Sequence, residues 1–289
     1  MTELTGLLLL VVGLGLLAAT GELAACCLRL RSPVEFVLAA YVIAWAWLVA
    51  ASLLLSLWQL LTRGSLLAAL AAGAGIALAA WLASGRPSPP PFGPSLAAAR
   101  DALRNPAVLV LAVAVGLGAM YVIALAFFTP MNDWDALSYH LARAAFWKQE
   151  HGIVLIDDVA DSRLNVNPPN AEIGQLATMV LSGSDRYVAL PQLLAYAALV
   201  TSVAGLARRI GLAPAEAAFA ALAFATLPVV ALQASGALND LVVASFLTAA
   251  TLFALGSGLA SLALFALALS LAVGVKFSGL LALPALVVV

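Results

Sequence analysis

Two carboxylates separated by a single residue, Asp133 and Asp135, are the part of the sequence best suited to chemistry. Such a pair can act as a general base, bind a cation, or cap the helix that follows. Tyr139, His140 and Arg143 come next, within the first turns of the same predicted helix. His140 and Arg143 are three positions apart, so both project from one face of that helix. The segment predicts a polar cluster, with simple helix capping by either aspartate as the alternative.

A second set of polar residues stands at the ends of apolar segments later in the chain. Asn239 and Asp240 come directly before an apolar run, and Lys276 follows another. An ionisable residue in such a context is costly unless it faces a wet cavity or a partner. Two simpler interpretations stay open: Asp240 could cap the following helix, and Lys276 could extend to the membrane surface without a function. The functional alternatives are substrate positioning by Asp240 and phosphate binding by Lys276.

The stretch between these two sets adds further charges. Arg163 and Glu172 could each contribute to a binding site or be plain solvated side chains. Three aspartates form an acidic cluster for which we expect solvation and not metal binding: Asp157, Asp158 and Asp161. No metal-ligating residue is therefore predicted anywhere in the sequence.

Composition places these residues in a membrane protein. The 289 residues are 64% apolar and 9% charged, with a mean hydropathy of +1.09, whereas a soluble domain carries roughly 25% charged residues. A soluble fold is excluded on this ground. The net charge of -1, without a basic stripe, gives no reason to expect a nucleic-acid partner. Cys26 and Cys27 are adjacent in an apolar segment, which suits packing and neither a disulfide framework nor a metal site.

The predicted fold is an all-α bundle of about nine transmembrane segments, because a span needs about 20 mostly apolar residues. The segments are 5–27, 35–61, 65–84, 107–128, 187–207, 213–235, 241–256, 259–275 and 278–289, the last one cut short, so we expect the chain to be part of a longer protein. A proline-rich cytoplasmic linker, 85–106, separates a three-helix extension, 1–84, from a core, 107–289.

Orientation follows from the cations, which favour short cytoplasmic loops. One set of alternate connections holds seven arginines and the short connections of the other set hold only Arg63 and Lys276. This distribution places the long loop 129–185 and the connection with Asp240 together on the non-cytoplasmic side. The loop is predicted to contain two helices, 135–150 and 169–181, that lie parallel to the membrane because they are too short to span it. Asp135 and Asp240 should then approach one another across a single polar cavity.

Several short motifs stand in an order and spacing that resemble a known family. They are Trp134–Leu141, Phe146–Trp147, Asn167–Glu172, Ser184–Arg186, Asn239–Asp240 and Lys276–Gly279. In this respect the chain resembles the polytopic GT-C glycosyltransferases, above all bacterial members related to the protein O-mannosyltransferases and the aminoarabinose lipid A transferases. The resemblance runs from about Pro130 to the end, whereas 1–106 has no counterpart in it. It implies a catalytic aspartate in the first outer loop and a second one in a later outer loop, the places that Asp135 and Asp240 occupy.

The resemblance implies sugar transfer from a polyprenyl-phosphate donor to a lipid, glycan or protein acceptor on the outer side of a bacterial cytoplasmic membrane. Asp135 would be the base, Asp240 would position a substrate, and Asp133 is the reserve for either role. Candidate binding residues are Tyr139, His140, Arg143, Arg163, Glu172, Asn239 and Lys276. No cofactor is expected to be required, although paired carboxylates are compatible with a divalent cation. The alternatives are a transporter, a flippase component or a non-catalytic scaffold.

Overall fold

The computed structural model describes residues 2–157 and 161–284, and all regular secondary structure in these residues is helical. The helices are α1 Glu3–Cys27, α2 Pro33–Ser56, α3 Arg63–Ala83, α4 Gly93–Ala102, α5 Pro106–Phe128, α6 Leu141–Gln149, α7 Arg163–Val166, α8 Asn170–Ser182, α9 Leu190–Arg209, α10 Pro214–Ala225, α11 Pro228–Gln233, α12 Asp240–Ala254 and α13 Leu259–Val275. A π-helix, Ala136–His140, leads into α6, and a 3₁₀ helix, Phe277–Ala282, follows α13. The predicted all-α fold class is confirmed.

Five helices are long and apolar enough to cross a membrane: α1, α2, α3, α5 and α9. Four of these starts follow from local sequence, because the side chains of Thr2, Ser32, Thr62 and Asn105 each accept a hydrogen bond from a backbone N–H in the first turn of the helix that follows. Helix α9 begins without a side-chain cap. These five helices make a membrane protein the natural interpretation of the fold.

The remaining predicted segments differ from full-length spans. Segment 213–235 is interrupted between α10 and α11, where Pro228 supplies no backbone N–H to continue the first helix. Segments 241–256 and 259–275 correspond to α12 and α13, of 15 and 17 residues. Segment 278–289 begins in the 3₁₀ helix, and its residues 285–289 lie outside the described ones. The predicted count of nine spans is therefore not confirmed.

The proline-rich linker is only partly extended. Residues 86–92 contain no helix, as the prolines predict, but α4 occupies most of the remainder. The helices of the proposed N-terminal extension also pack on the rest of the bundle, since α1, α2 and α3 all contact α8, and α2 contacts α9 and α13. The division of the chain into three regions stays a prediction.

The helix ends gather at two opposite ends of the bundle. At the first, which we call the loop end, segment 129–185 closes over the helices: the Leu61 N–H donates to the His151 carbonyl over 2.8 Å, and Arg186 Nε donates to the Phe127 carbonyl over 3.0 Å. At the second, which we call the arginine end, Arg29 donates to the Ser84 carbonyl and Arg209 pairs with Glu35. The side of a membrane on which the loop end lies stays a prediction.

The two helices predicted within the loop exist as α6, with its preceding π-helix, and as α8. All thirteen residues of α8 are buried, because α1, α2, α3, α6, α9 and α13 surround it. A helix with one apolar face would leave its polar face exposed, whereas the polar side chains of α8 find partners inside the protein. The orientation of both helices relative to a membrane stays a prediction.

Candidate functional site at the loop end

Asp133 caps the helix that follows it, which is the structural alternative that the sequence left open for this residue. Its Oδ1 accepts hydrogen bonds from the backbone N–H groups of Asp135 and Ala136, over 3.0 and 3.2 Å. This is the geometry of a helix N-terminal cap. Asp133 is therefore committed to starting the π-helix, which leaves the carboxylate of Asp135 available for other contacts.

Asp135 forms an ion pair with the arginine that the sequence placed 28 positions away. Arg163 Nη1 donates to Asp135 Oδ1 over 2.9 Å, and the same guanidinium makes a two-pronged contact with Asp161, closest at 2.7 Å. The Arg163 guanidinium also lies over the ring of Tyr139, 4.5 Å from its centroid. The side chains of Asp135 and Arg163 are about half exposed, at 49% and 43%. They are accessible from outside the protein.

Asp161 is not the solvated carboxylate that the sequence suggested. Its hydrogen bonds from Arg163 hold the pKa of the Asp161 carboxyl below its usual range, and they hold the pKa of the guanidinium above its own. Asp157 is exposed, as predicted, and Asp158 lies outside the described residues. Asp161 of the acidic cluster is thus a hydrogen-bonded ion-pair partner of Arg163.

A second ion pair connects Asp240 and Lys276. Lys276 Nζ donates to Asp240 Oδ1 over 2.8 Å, and both side chains are about half exposed. Asp240 is the first residue of α12, but its carboxylate does not cap that helix. Asn239, at the cap position, makes no side-chain capping bond and is 4% exposed, so it is buried and not at the surface. The capping alternative for Asp240 is excluded by this geometry.

Tyr139 lies beside the ion pair of Asp135 and Arg163. Its pKa is raised to about 12, first by burial and then by the negative charge of Asp135, with smaller contributions from Glu172 and Asp240, while Arg163 opposes the rise. One phenol thus lies within electrostatic reach of both candidate carboxylates. The phenol stays protonated at neutral pH, as an unperturbed tyrosine also does, and it can donate a hydrogen bond.

Three residues predicted to bind substrate lie in the interior instead. His140 Nδ1 and Glu172 Oε1 are 2.7 Å apart, with the two side chains 1% and 0% exposed. Arg143 lies 3.9 Å from the same carboxylate and donates to the carbonyl of Asn167 over 2.7 Å. Burial lowers the pKa of the Arg143 guanidinium, and Glu172 counteracts that effect. Charges in a low-dielectric interior need such partners, so these contacts join α8 to the helix that carries Asp135, and a role of the three residues in substrate binding stays a prediction.

Three polar side chains of helix α8 hold three segments of the site: α13, the helix with Tyr139 and His140, and the segment before α12. Asn170 Nδ2 donates to the Leu271 carbonyl, near the end of α13, over 3.2 Å. Glu172 holds His140, one residue after Tyr139, and Gln175 Nε2 donates over 2.7 Å to the carbonyl of Ala237, just before Asn239. Gln175 was not singled out from the sequence. Its signal was a polar side chain within a largely apolar helix, as it was for Asn170 and Glu172.

Two cavities lie in neighbouring parts of the bundle. One of about 430 Å³, with a mixed polar and apolar lining, lies between the end of α5 and α11, and its lining includes Thr129, Asp133, Gln233 and Leu238. An apolar one, also about 430 Å³, runs between α1, α2, α8 and α9, and its lining includes Trp45. The prediction that Asp135 and Asp240 open onto one shared cavity stays a prediction.

In the part of the chain that the structure describes, no three His, Cys, Asp or Glu side chains lie close enough together to hold a metal ion. Asp135 and Asp240 each have a cationic side chain as partner instead. A divalent cation would have to displace Arg163 or Lys276 from these carboxylates.

No protein-family model, no curated protein and no solved structure matches this chain. The fold and the site define a helical protein with five helices able to cross a membrane and with a half-exposed cluster of carboxylates, cations and a tyrosine at one end.

Proposed function

We propose that the chain is part of a membrane glycosyltransferase that moves a sugar from a polyprenyl-phosphate donor to an acceptor hydroxyl on the outer face of a bacterial cytoplasmic membrane. One observation carries the proposal: two half-exposed carboxylates at the loop end, Asp135 and Asp240, are each joined to a cation, and Tyr139 lies beside the first of these pairs. A transfer reaction at a phosphate-linked sugar needs this combination, a base for the acceptor and cations for the leaving phosphate.

The cations would bind the donor phosphate. Arg163 and Lys276 are both about half exposed, and each is held by a carboxylate that a phosphate could displace. A phosphate offers more acceptor oxygens than a single carboxylate, and charge-assisted hydrogen bonds to it are strong. Asp161 would keep Arg163 in place during this exchange, because it holds the guanidinium through a separate two-pronged contact.

The same exchange would free Asp135 to act as the base. The acceptor oxygen attacks the anomeric carbon, the proton of its hydroxyl passes to Asp135, and the bond between that carbon and the phosphate oxygen breaks. The bonding electrons leave with the polyprenyl phosphate, whose added negative charge Arg163 and Lys276 would stabilise. Tyr139, protonated at neutral pH, would donate a hydrogen bond to the phosphate or to the sugar.

The lipid part of the donor would use the apolar cavity beside α8. That cavity is lined by aliphatic and aromatic side chains of four helices, including Leu14, Phe36 and Trp45, and it reaches Gly174 and Thr178 on α8. Because α8 also holds the segments with Asp135 and Asp240, a chain in this cavity would lie close to the reacting groups. The position supports a lipid-linked donor over a soluble one.

One observation favours the transporter as a second candidate. The interruption between α10 and α11 resembles the broken helices that bind substrates in transporters. In transporters such breaks lie near the middle of the membrane, whereas the ion pairs here lie at helix ends. The location of the charges therefore supports the enzyme.

The two candidates differ in what happens to the substrate. The full chain in proteoliposomes is supplied with undecaprenyl phosphate linked to mannose, glucose or aminoarabinose, together with a lipid extract that contains acceptors. The enzyme releases undecaprenyl phosphate and forms a glycosylated product from one of these donors, and the double variant Asp135→Asn/Asp240→Asn does not. The matched variant Arg100→Gln/Arg104→Gln, at the arginine end, retains the activity. Movement of an unaltered sugar or lipid across the bilayer, without product, contradicts the proposal and favours the transporter.

A further inference from the structure

A cavity in the described part of the molecule lies at the arginine end, away from the ion pairs of the loop end. Its volume is about 820 Å³, which falls in the range of about 300–1,000 Å³ that is usual for pockets that bind small ligands. It is bounded by the turn between α1 and α2, the end of α9, the turn between α12 and α13, and Ser95 of α4. Nothing in the proposed transfer reaction uses it.

Charge is unequally distributed around this cavity. Four arginines and one glutamate line it: Arg29, Arg31, Arg208, Arg209 and Glu35. Glu35 is paired with Arg209, and within the described residues the other three guanidinium groups have no carboxylate partner. Arg31 forms neither a hydrogen bond nor an ion pair with any described residue, and it is exposed. The cavity therefore has an excess of positive charge and guanidinium donors that are free to bind an anion.

A buried hydroxyl adds to this set of donors. Ser261, on the first turn of α13, is only 8% exposed and lines the cavity. Among the residues that the structure describes, its side chain has no hydrogen-bond partner. Helix α13 also begins without a side-chain cap, at Gly258, so its first backbone N–H groups point outward unsatisfied by the helix itself. A helix start of this kind favours an anion.

We propose that this cavity binds the phosphate group of an anionic phospholipid from the leaflet at the arginine end. The guanidinium groups of Arg29, Arg31 and Arg208 surround the phosphate, and the Ser261 hydroxyl donates to one of its oxygens. This site is separate from the transfer site, and it does not depend on the proposed function.

A lipid headgroup fits the surroundings better than a free phosphate ion. The first turn of α13 exposes Leu259 and Leu262, at 81% and 61%, beside the residue that lines the cavity. Acyl chains can lie against such a surface while the headgroup enters the cavity. Basic pockets between helix ends on the side rich in arginine are a known feature of anionic lipid recognition.

The test titrates the detergent-purified full chain with phosphatidylglycerol or phosphatidylcholine and measures bound lipid by native mass spectrometry. The two lipids share a phosphodiester but differ in net charge. We expect phosphatidylglycerol to bind about tenfold or more tightly than phosphatidylcholine, and the variant Arg31→Gln/Arg208→Gln to lose about tenfold of that affinity. Arg208 donates to the Leu212 carbonyl, whereas Arg31 has no partner in the described structure, so the single variant Arg31→Gln, which should also weaken binding, breaks no internal contact.

The control is Arg100→Gln/Arg104→Gln, which removes the same charge from the same end at residues that do not line the cavity. It should retain the preference for phosphatidylglycerol, and Ser261→Ala should weaken binding by itself. Equal binding of the two lipids by the unmodified chain overturns the proposal, as does an equal loss in the control variant. Stabilisation by inorganic phosphate without any preference between the lipids overturns the lipid assignment as well.

Discussion

Lys276 Nζ donates a hydrogen bond to Asp240 Oδ1 over 2.8 Å, which joins the first residue of α12 to the residue directly after α13. Because both side chains are about half exposed, the pair itself contributes only about 0–1 kcal/mol to stability. In the proposed reaction its importance is that Lys276 is held ready and can exchange Asp240 for a donor phosphate.

The two halves of this pair should affect donor binding in opposite ways. Lys276→Gln removes a phosphate ligand and is expected to raise the donor dissociation constant about tenfold, as measured by calorimetry in nanodiscs. Asp240→Asn removes a competitor for Lys276 and should not raise that constant. The control is Lys148→Gln, which removes a lysine of α6 in the loop 129–185. An equal weakening by both variants would mean that the pair is only structural.

The buried contact between His140 and Glu172 should be important for stability. Glu172→Gln keeps the shape of the side chain but leaves the buried Arg143 without a counter-charge, and breaking a buried pair in this way costs about 3 kcal/mol or more. Thermal unfolding followed by circular dichroism should show a clear drop in Tm. Glu150→Gln, on an exposed glutamate, should unfold at the normal temperature. A normal Tm for Glu172→Gln would show that the interior tolerates the unpaired arginine and that α8 is not held as described.

The packing of α1 on α8 depends on a glycine. A Cβ placed on Gly6 would come within 2.0 Å of the Ser182 carbonyl oxygen, at the end of α8, whereas one placed on Gly15 would meet nothing within 4 Å. Gly6→Ala is expected to destabilise the protein by about 1–3 kcal/mol through overpacking. Gly15→Ala, in the same helix, should be neutral or stabilising by up to about 1 kcal/mol. Chemical unfolding of the two variants compares them directly, and equal stability would contradict this helix contact.

Tyr139 should titrate late, because its pKa is raised to about 12. The difference in tyrosinate absorbance between the unmodified chain and Tyr139→Phe should therefore appear near pH 12 and not near pH 10. The unfolded chain releases this proton at about pH 10. Between these two pH values it binds fewer protons than the folded chain, so stability falls as the pH rises. Ionisation at pH 10 would show that the ring is neither buried nor near Asp135 and Asp240.

The sequence predicts the spanning helices well because length and apolar composition decide them. The helices α1, α2, α3, α5 and α9 all follow from that criterion. The interruption between α10 and α11 was missed, because an average over 213–235 stays apolar although Pro228 ends the backbone hydrogen bonding. Helix α4 was missed for the opposite reason: the prolines before it dominated the interpretation of the linker.

The site was predicted in its residues but not in its pairings. Asp135, Asp240 and Lys276 were recognised as ionisable groups next to apolar segments, and Arg163 was named only as a further charge in the stretch between them. Their partners lie 28 and 36 positions away, a separation that only the packing of the helices decides. The same packing buries His140, Arg143 and Glu172, which periodicity alone could not distinguish from exposed binding residues.

The role of Asp135 as the base is tested most directly by the turnover and donor affinity of Asp135→Asn. The amide keeps the shape of the side chain but cannot accept the acceptor proton, so kcat should fall about a hundredfold or more while donor affinity is retained. Asp157→Asn, the same change at an exposed aspartate of the same loop, should leave both quantities unchanged. A normal kcat for Asp135→Asn contradicts the account, because Asp135 would then be only a partner of Arg163.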